Sequence, residues 1–95
     1  MPRFISLIQF TERGAKDIKK STARALAFDE AAEKAGVKIE GQYWTMGAYD
    51  GVLIISADDE NKALHCLTEL AVSGNVRTET MPAFNASEFD AIVGR

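Results

Sequence analysis

Three observations on this 95-residue chain predict an α+β fold: a ferredoxin-like β-α-β-β-α-β order with a C-terminal tail helix. Strand-sized apolar runs alternate with two longer segments whose apolar residues recur at helical spacing. Glycine-bearing stops separate them at Gly36, Gly47–Gly51 and Gly74. Two of the four strand segments are apolar on both faces and two alternate with polar residues. That is the pattern of two central and two edge strands in one four-stranded antiparallel sheet.

Phe4 to Phe10 reads as a strand from its β-branched and aromatic content, with faces Phe4/Ser6/Ile8/Phe10 and Ile5/Leu7/Gln9. Thr11 and Gly14 punctuate its end. A helix is expected from about Ala15 to Ala35, burying Ile18, Ala25, Phe28, Ala32 and Ala35, with Gly36 as its stop. Val37 to Met46 alternates Val37/Ile39/Tyr43 against Lys38/Glu40/Gln42, which suits a strand near a sheet edge with one wet face. After the Gly47–Gly51 turn, Val52 to Ala57 is apolar on both faces. Asp58 or Asp59 caps a second helix, from about Glu60 to Val72, where a carboxylate satisfies free N–H groups and complements the helix dipole. Its buried stripe is centred on Leu67 with Ala63, Leu70 and Ala71. Gly74-Asn75 stops it, and Val76 to Met81 alternates with the charged Arg77 and Glu79. Asn85 and Glu88 have capping-box spacing and open a tail helix bearing Phe89, Ile92 and Val93.

The length fits a single domain over residues 1–95. A net charge of -3 gives no general attraction to nucleic acid or anionic membranes, so neither is an expected partner. No apolar run approaches the ~20 residues of a membrane span, and Met1-Pro2-Arg3-Phe4 lacks a signal-peptide pattern. A soluble, cytoplasmic protein is expected. The single cysteine, Cys66, excludes an internal disulfide and a multi-cysteine metal cage. With one histidine, no phosphate loop, no nucleophile elbow and no dinucleotide fingerprint, neither a metal nor a cofactor is expected. His65 falls about 160° from the buried stripe of its helix and Cys66 about 100°, at the flank. Adjacent helical residues do not face each other, so the two are not a thiolate–imidazole pair. Lys16, Lys19, Lys20 and Arg24 cluster at helical spacing and read as a solvated face, or as basic groups near a sheet–helix cleft that take up an acidic ligand.

Gly47-Ala48-Tyr49-Asp50-Gly51 runs into Val52-Leu53-Ile54-Ile55, and Gly74 to Thr80 and Ala83-Phe84 follow in order. From Thr11 to about Val93 this pattern resembles the GYD domain family of small α+β proteins. Two helices can cover only one face of the sheet, and the apolar second face would be buried by a second copy or by the tail helix. The resemblance points to the first, a dimeric α+β barrel in which two sheets pair face to face, and so to a homodimer or higher homo-oligomer. Arg13 and Ala57-Asp58-Asp59 depart from the family pattern, the first before the Gly of Thr-x-x-Gly and the second where a proline is frequent.

The candidate ligand-binding residues are Tyr43, Trp44, Tyr49, Asp50, Arg77 and Glu79. Asp50 could shape its hairpin or, with Tyr49, orient a ligand and assist proton transfer. Arg77 and Glu79 share a strand face and could pair, or Arg77 could hold an anion through paired N–H groups. Tyr43 and Trp44 point to opposite faces, one toward the helices and one toward the partner face. Two functions of different classes follow. One is a non-catalytic oligomeric small-molecule-binding or assembly module. The alternative is a cofactor-independent enzyme, oxygenase- or isomerase-like, acting on a small organic molecule between sheet and helices.

Overall fold

The computed structural model describes residues 2–94. Its elements are β1 (Arg3–Phe10), α1 (Glu12–Lys16), a 3-10 turn (Ile18–Lys20), α2 (Ser21–Lys34), β2 (Val37–Trp44), β3 (Gly51–Ala57), α3 (Glu60–Val72), β4 (Val76–Pro82) and α4 (Ala86–Ile92). The strands form one antiparallel sheet in the order β2-β3-β1-β4. The two strands apolar on both faces are therefore the central pair.

Helices α2 and α3 cover one face. There Val37, Leu53, Ile55 and Ala57 of the sheet bury against Ala32 of α2 and Ala63, Cys66 and Leu67 of α3. Ser6 is also fully buried on this face, and its hydroxyl shares a 2.8 Å hydrogen bond with Thr80, which offsets its desolvation. Cys66 belongs to this core rather than to the flank, because Ala63, Cys66 and Leu67 repeat at i, i+3 and i+4. Burial pushes its thiol pKa up, away from nucleophilic reactivity. His65 does face solvent, 3.9 Å from Glu69 one turn on, whereas Ala71, expected in the stripe, is exposed.

The first crossover is not one helix from Ala15 to Ala35. Thr11 accepts the Gly14 N–H at 3.1 Å and starts α1 at Glu12, and the chain leaves the helix at Asp17 (φ -107°, ψ 35°) before restarting at Ser21. The Arg24 guanidinium donates to the Asp17 carbonyl at 2.9 Å and the Gly14 carbonyl at 3.4 Å, so backbone oxygens at the break are satisfied by a side chain. The break turns Ile18 outward, and Ala35 is exposed too. Ala32 is buried, with Ala25 and Phe28 half-buried.

Strand β2 carries a register shift between Ile39 and Gly41. Strict alternation would keep Tyr43 with Val37 and Ile39. The bulge instead moves Tyr43 to the sheet's open face, beside Lys38 and Glu40, and brings Gln42 and Trp44 to the helix side.

That open face carries two cross-strand rows: Tyr43–Val52–Leu7–Glu79 and Gly41–Ile54–Ile5–Met81. Tyr43 and Met81 are exposed, and Val52, Leu7, Ile54 and Ile5 are only half-buried. The tail helix α4 does not bury its apolar side chains there, since Phe89, Ile92 and Val93 stay more than half exposed. Its N-terminus is fixed otherwise. Asn85 and Glu88 make the reciprocal capping box, and Glu88 also meets the Arg3 guanidinium at 2.9 Å. The Asn85 N–H, then Arg3, holds the Glu88 carboxyl below its ordinary pKa. Among the described residues, no helix is long and apolar enough to cross a membrane.

Candidate functional site

A half-open cleft of about 450 Å³ lies where β1 and β2 end and β3 and β4 begin, between the sheet, α2 and the last turn of α3. Its size falls within the range of small-molecule sites. The cause is compositional. Helix α2 presents Ala25, Ala27 and Ala31 to this space, and methyl groups do not reach the sheet. Phe10, Phe28, Leu53, Leu70 and Val76 supply apolar walls, and the polar residues of the lining are Ser21, Arg24, Gln42, Trp44, Asp50, Glu69, Ser73 and Asn75.

The six candidate residues divide between the two sides of the sheet. Trp44 faces the cleft, and its indole N–H donates to the Ser21 hydroxyl at 2.9 Å, joining β2 to the start of α2. Asp50 also lines the cleft. Its carboxylate accepts the Phe10 N–H at 2.8 Å, its own N–H donates to the Ile8 carbonyl, and its carbonyl accepts the Thr45 N–H. One residue thereby ties the end of β1 to the β2–β3 hairpin. The next position must be glycine, because a Cβ at Gly51 would lie 2.9 Å from the Tyr43 carbonyl oxygen.

Tyr49, Arg77 and Glu79 lie on the other side; Tyr43 stands with them by its register, although it also borders the cleft between Gln42 and Trp44. The Tyr49 hydroxyl donates to the Glu79 carboxylate at 2.6 Å, while Gln9 anchors the same turn through the Ala48 carbonyl at 3.0 Å. Glu79 is thus engaged by Tyr49, and no Arg77–Glu79 ion pair forms. The hydrogen bond to Glu79, then the carboxylate's charge, raises the Tyr49 pKa above its ordinary 10.0, since an ionised phenol would lose the bond and face a like charge. Ultraviolet titration in a Tyr43→Phe background is expected to place Tyr49 ionisation above the free-tyrosine range. Glu79→Ala should return it to that range, and a titration indifferent to Glu79 would contradict the pairing.

Composition alone did not mark Ser21, Phe10, Phe28 or Leu70 as cleft residues. The available signal was the alanine density of residues 23–32, which leaves space that a leucine-rich face would fill. Among the described residues, no group of three or more His, Cys, Asp and Glu side chains converges as metal ligands would.

The comparisons with known proteins agree with this architecture. The model of the GYD domain matches residues 4–93. A Thermus thermophilus protein named "Glutamine synthetase and cystathionine beta-lyase binding protein" is 32% identical over 92 residues, covering 96% of this chain and 97% of that one. A crystal structure of a protein from Thermus thermophilus superposes with a TM-score of 0.56 at 26% identity, covering 90% of this chain and 96% of the other. With nearly its whole length matched, this chain belongs to the GYD domain family.

Proposed function

We propose that this protein is a non-catalytic, homo-oligomeric binding module of the cytoplasm, folded as one domain, that takes a small organic molecule in its sheet–helix cleft and docks on metabolic enzymes. The observation that carries the ligand reading is the cleft itself, about 450 Å³ with apolar walls and several polar side chains among its lining. Trp44 and Asp50 reach it directly. Tyr43, Tyr49, Arg77 and Glu79 belong to the opposite face, where they would contact a second copy or a partner enzyme.

Assembly is supported by the two apolar rows across the open face, an area that a monomer rarely leaves to water. Pairing two such sheets about a two-fold axis would make the dimeric α+β barrel. Docking on enzymes is supported by the name of the Thermus relative, whose stated partners are glutamine synthetase and cystathionine beta-lyase.

Native mass spectrometry of the protein purified from its own cells tests all three parts. The expected result is a homo-oligomer carrying a small organic mass, which binds glutamine synthetase or cystathionine beta-lyase of the same cell when these are added. Ile54→Asp, at the centre of the open face, should give a folded monomer. A monomeric, ligand-free wild type that ignores both enzymes would overturn the proposal.

A further inference from the structure

We propose that the cleft selects an amphipathic monoanion, an apolar chain or ring system ending in one carboxylate, with Arg24 and Ser21 as its anion-binding corner. The inference rests on the cleft being a ligand site and adds the chemistry of what enters it.

Arg24 lines the cleft, and both of its hydrogen bonds go to neutral backbone carbonyls, of Asp17 and Gly14. Those bonds fix the guanidinium in place without neutralising it. No carboxylate lies within ion-pair distance of it among the described residues. An oriented guanidinium with no ion-pair partner and with N–H groups to spare is a preorganised anion anchor.

Ser21 sits three residues earlier on α2, hence on the same helix face. Its oxygen accepts the Trp44 N–H, so its own O–H is left to donate, and no acceptor for it occurs among the described residues. Two donors at i and i+3 above an apolar cavity match the two oxygens of a carboxylate.

The segment that carries this corner is basic. Residues 12–24 carry five basic side chains, Arg13, Lys16, Lys19, Lys20 and Arg24, against Glu12 and Asp17, in a chain whose net charge is -3. None of the five forms an ion pair among the described residues. A basic segment favours anions near it, and Arg24 is its member in the cleft lining.

Asp50 and Glu69 also line the cavity, neither in ion-pair contact with Arg24, and each repels an anion from its own vicinity. Asp50 is committed to the Phe10 N–H, and Glu69 neighbours His65. Together they set the ligand's polarity: carboxylate at the Arg24–Ser21 corner, apolar body along Phe10, Phe28, Leu53 and Leu70.

Trp44 is the chain's single tryptophan and lines the cleft, so its fluorescence reports occupancy. The probes are decanoate and decanol, equal in chain length and different in charge, each titrated as monomers in solution. Decanoate is expected to bind roughly tenfold or more tightly than decanol, the effect of charge-assisted hydrogen bonds. Arg24→Gln should bring the ratio near one, because decanoate loses its charge-assisted bonds and decanol has none to lose. Ser21→Ala should lower the ratio with Arg24 intact. Equal affinities, or a ratio that survives Arg24→Gln, would overturn the anion site while leaving the cleft a ligand site. If neither probe perturbs Trp44, the cleft reading falls as well.

Discussion

Gly14→Ala is expected to lower stability by about 2–3 kcal/mol, roughly 10–20 °C in Tm for a domain of this length. In helix α1 the Gly14 backbone packs directly on the turn before β4. A Cβ there would overlap the Asn75 carbonyl oxygen and lie 2.9 Å from its carbonyl carbon. The obstacle is backbone, not a side chain that can swing away. The same contact is held by Thr11, whose N–H donates to the Asn75 carbonyl at 3.0 Å and whose hydroxyl donates to the Gly74 carbonyl at 2.7 Å. Thr11-Glu12-Arg13-Gly14 is therefore a clasp between the end of β1 and the start of β4. Helix propensity predicts the opposite sign, because alanine in place of a helical glycine ordinarily stabilises by about 0.5–1 kcal/mol. Urea denaturation of Gly14→Ala beside an exposed control, Lys16→Ala, separates the two. A stabilised Gly14→Ala protein would remove the clasp from the account.

That clasp shows where sequence reading stops. Glycine and threonine at residues 11–14 signal a boundary, and a boundary is what periodicity finds there. The partner of that boundary is more than sixty residues away, and no local pattern encodes it. The strands were legible because burial on one or both faces is written directly into alternation, which placed β1 and β3 at the centre. Bulged β2 was less legible, since one extra residue reverses every later side chain. Its signal is Gly41, whose missing Cβ leaves room for the Tyr43 ring, 3.1 Å from where that atom would be. The candidate residues were found through turn chemistry and aromatic content, which say nothing about faces. Separating Trp44 and Asp50 from Tyr43, Tyr49, Arg77 and Glu79 required the register. The cleft was hidden for a further reason: it is made by what alanines leave out.

Asp50→Ala is expected to cost about 1–3 kcal/mol and to loosen the cleft, whereas Asp50→Asn should recover most of the stability. The carboxylate is the acceptor for the Phe10 N–H, a half-buried donor at the end of a central strand. Alanine leaves that donor unpaired, and desolvation without a partner is the larger part of the loss. Asparagine keeps a neutral acceptor at the same reach, so the difference between the two variants measures how much of the role is charge. Phe10 is also a wall of the cleft, and its backbone fixes where its ring stands. Hydrogen exchange at the Phe10 amide should accelerate strongly in Asp50→Ala and mildly in Asp50→Asn, with the affinity for decanol, which carries no charge for Asp50 to repel, falling in the same order. A purely ligand-contacting Asp50 would behave differently: the Phe10 amide would stay protected in both variants while binding changed. An Asp50→Ala protein with unchanged Phe10 exchange would therefore detach Asp50 from the scaffold and return it to the ligand.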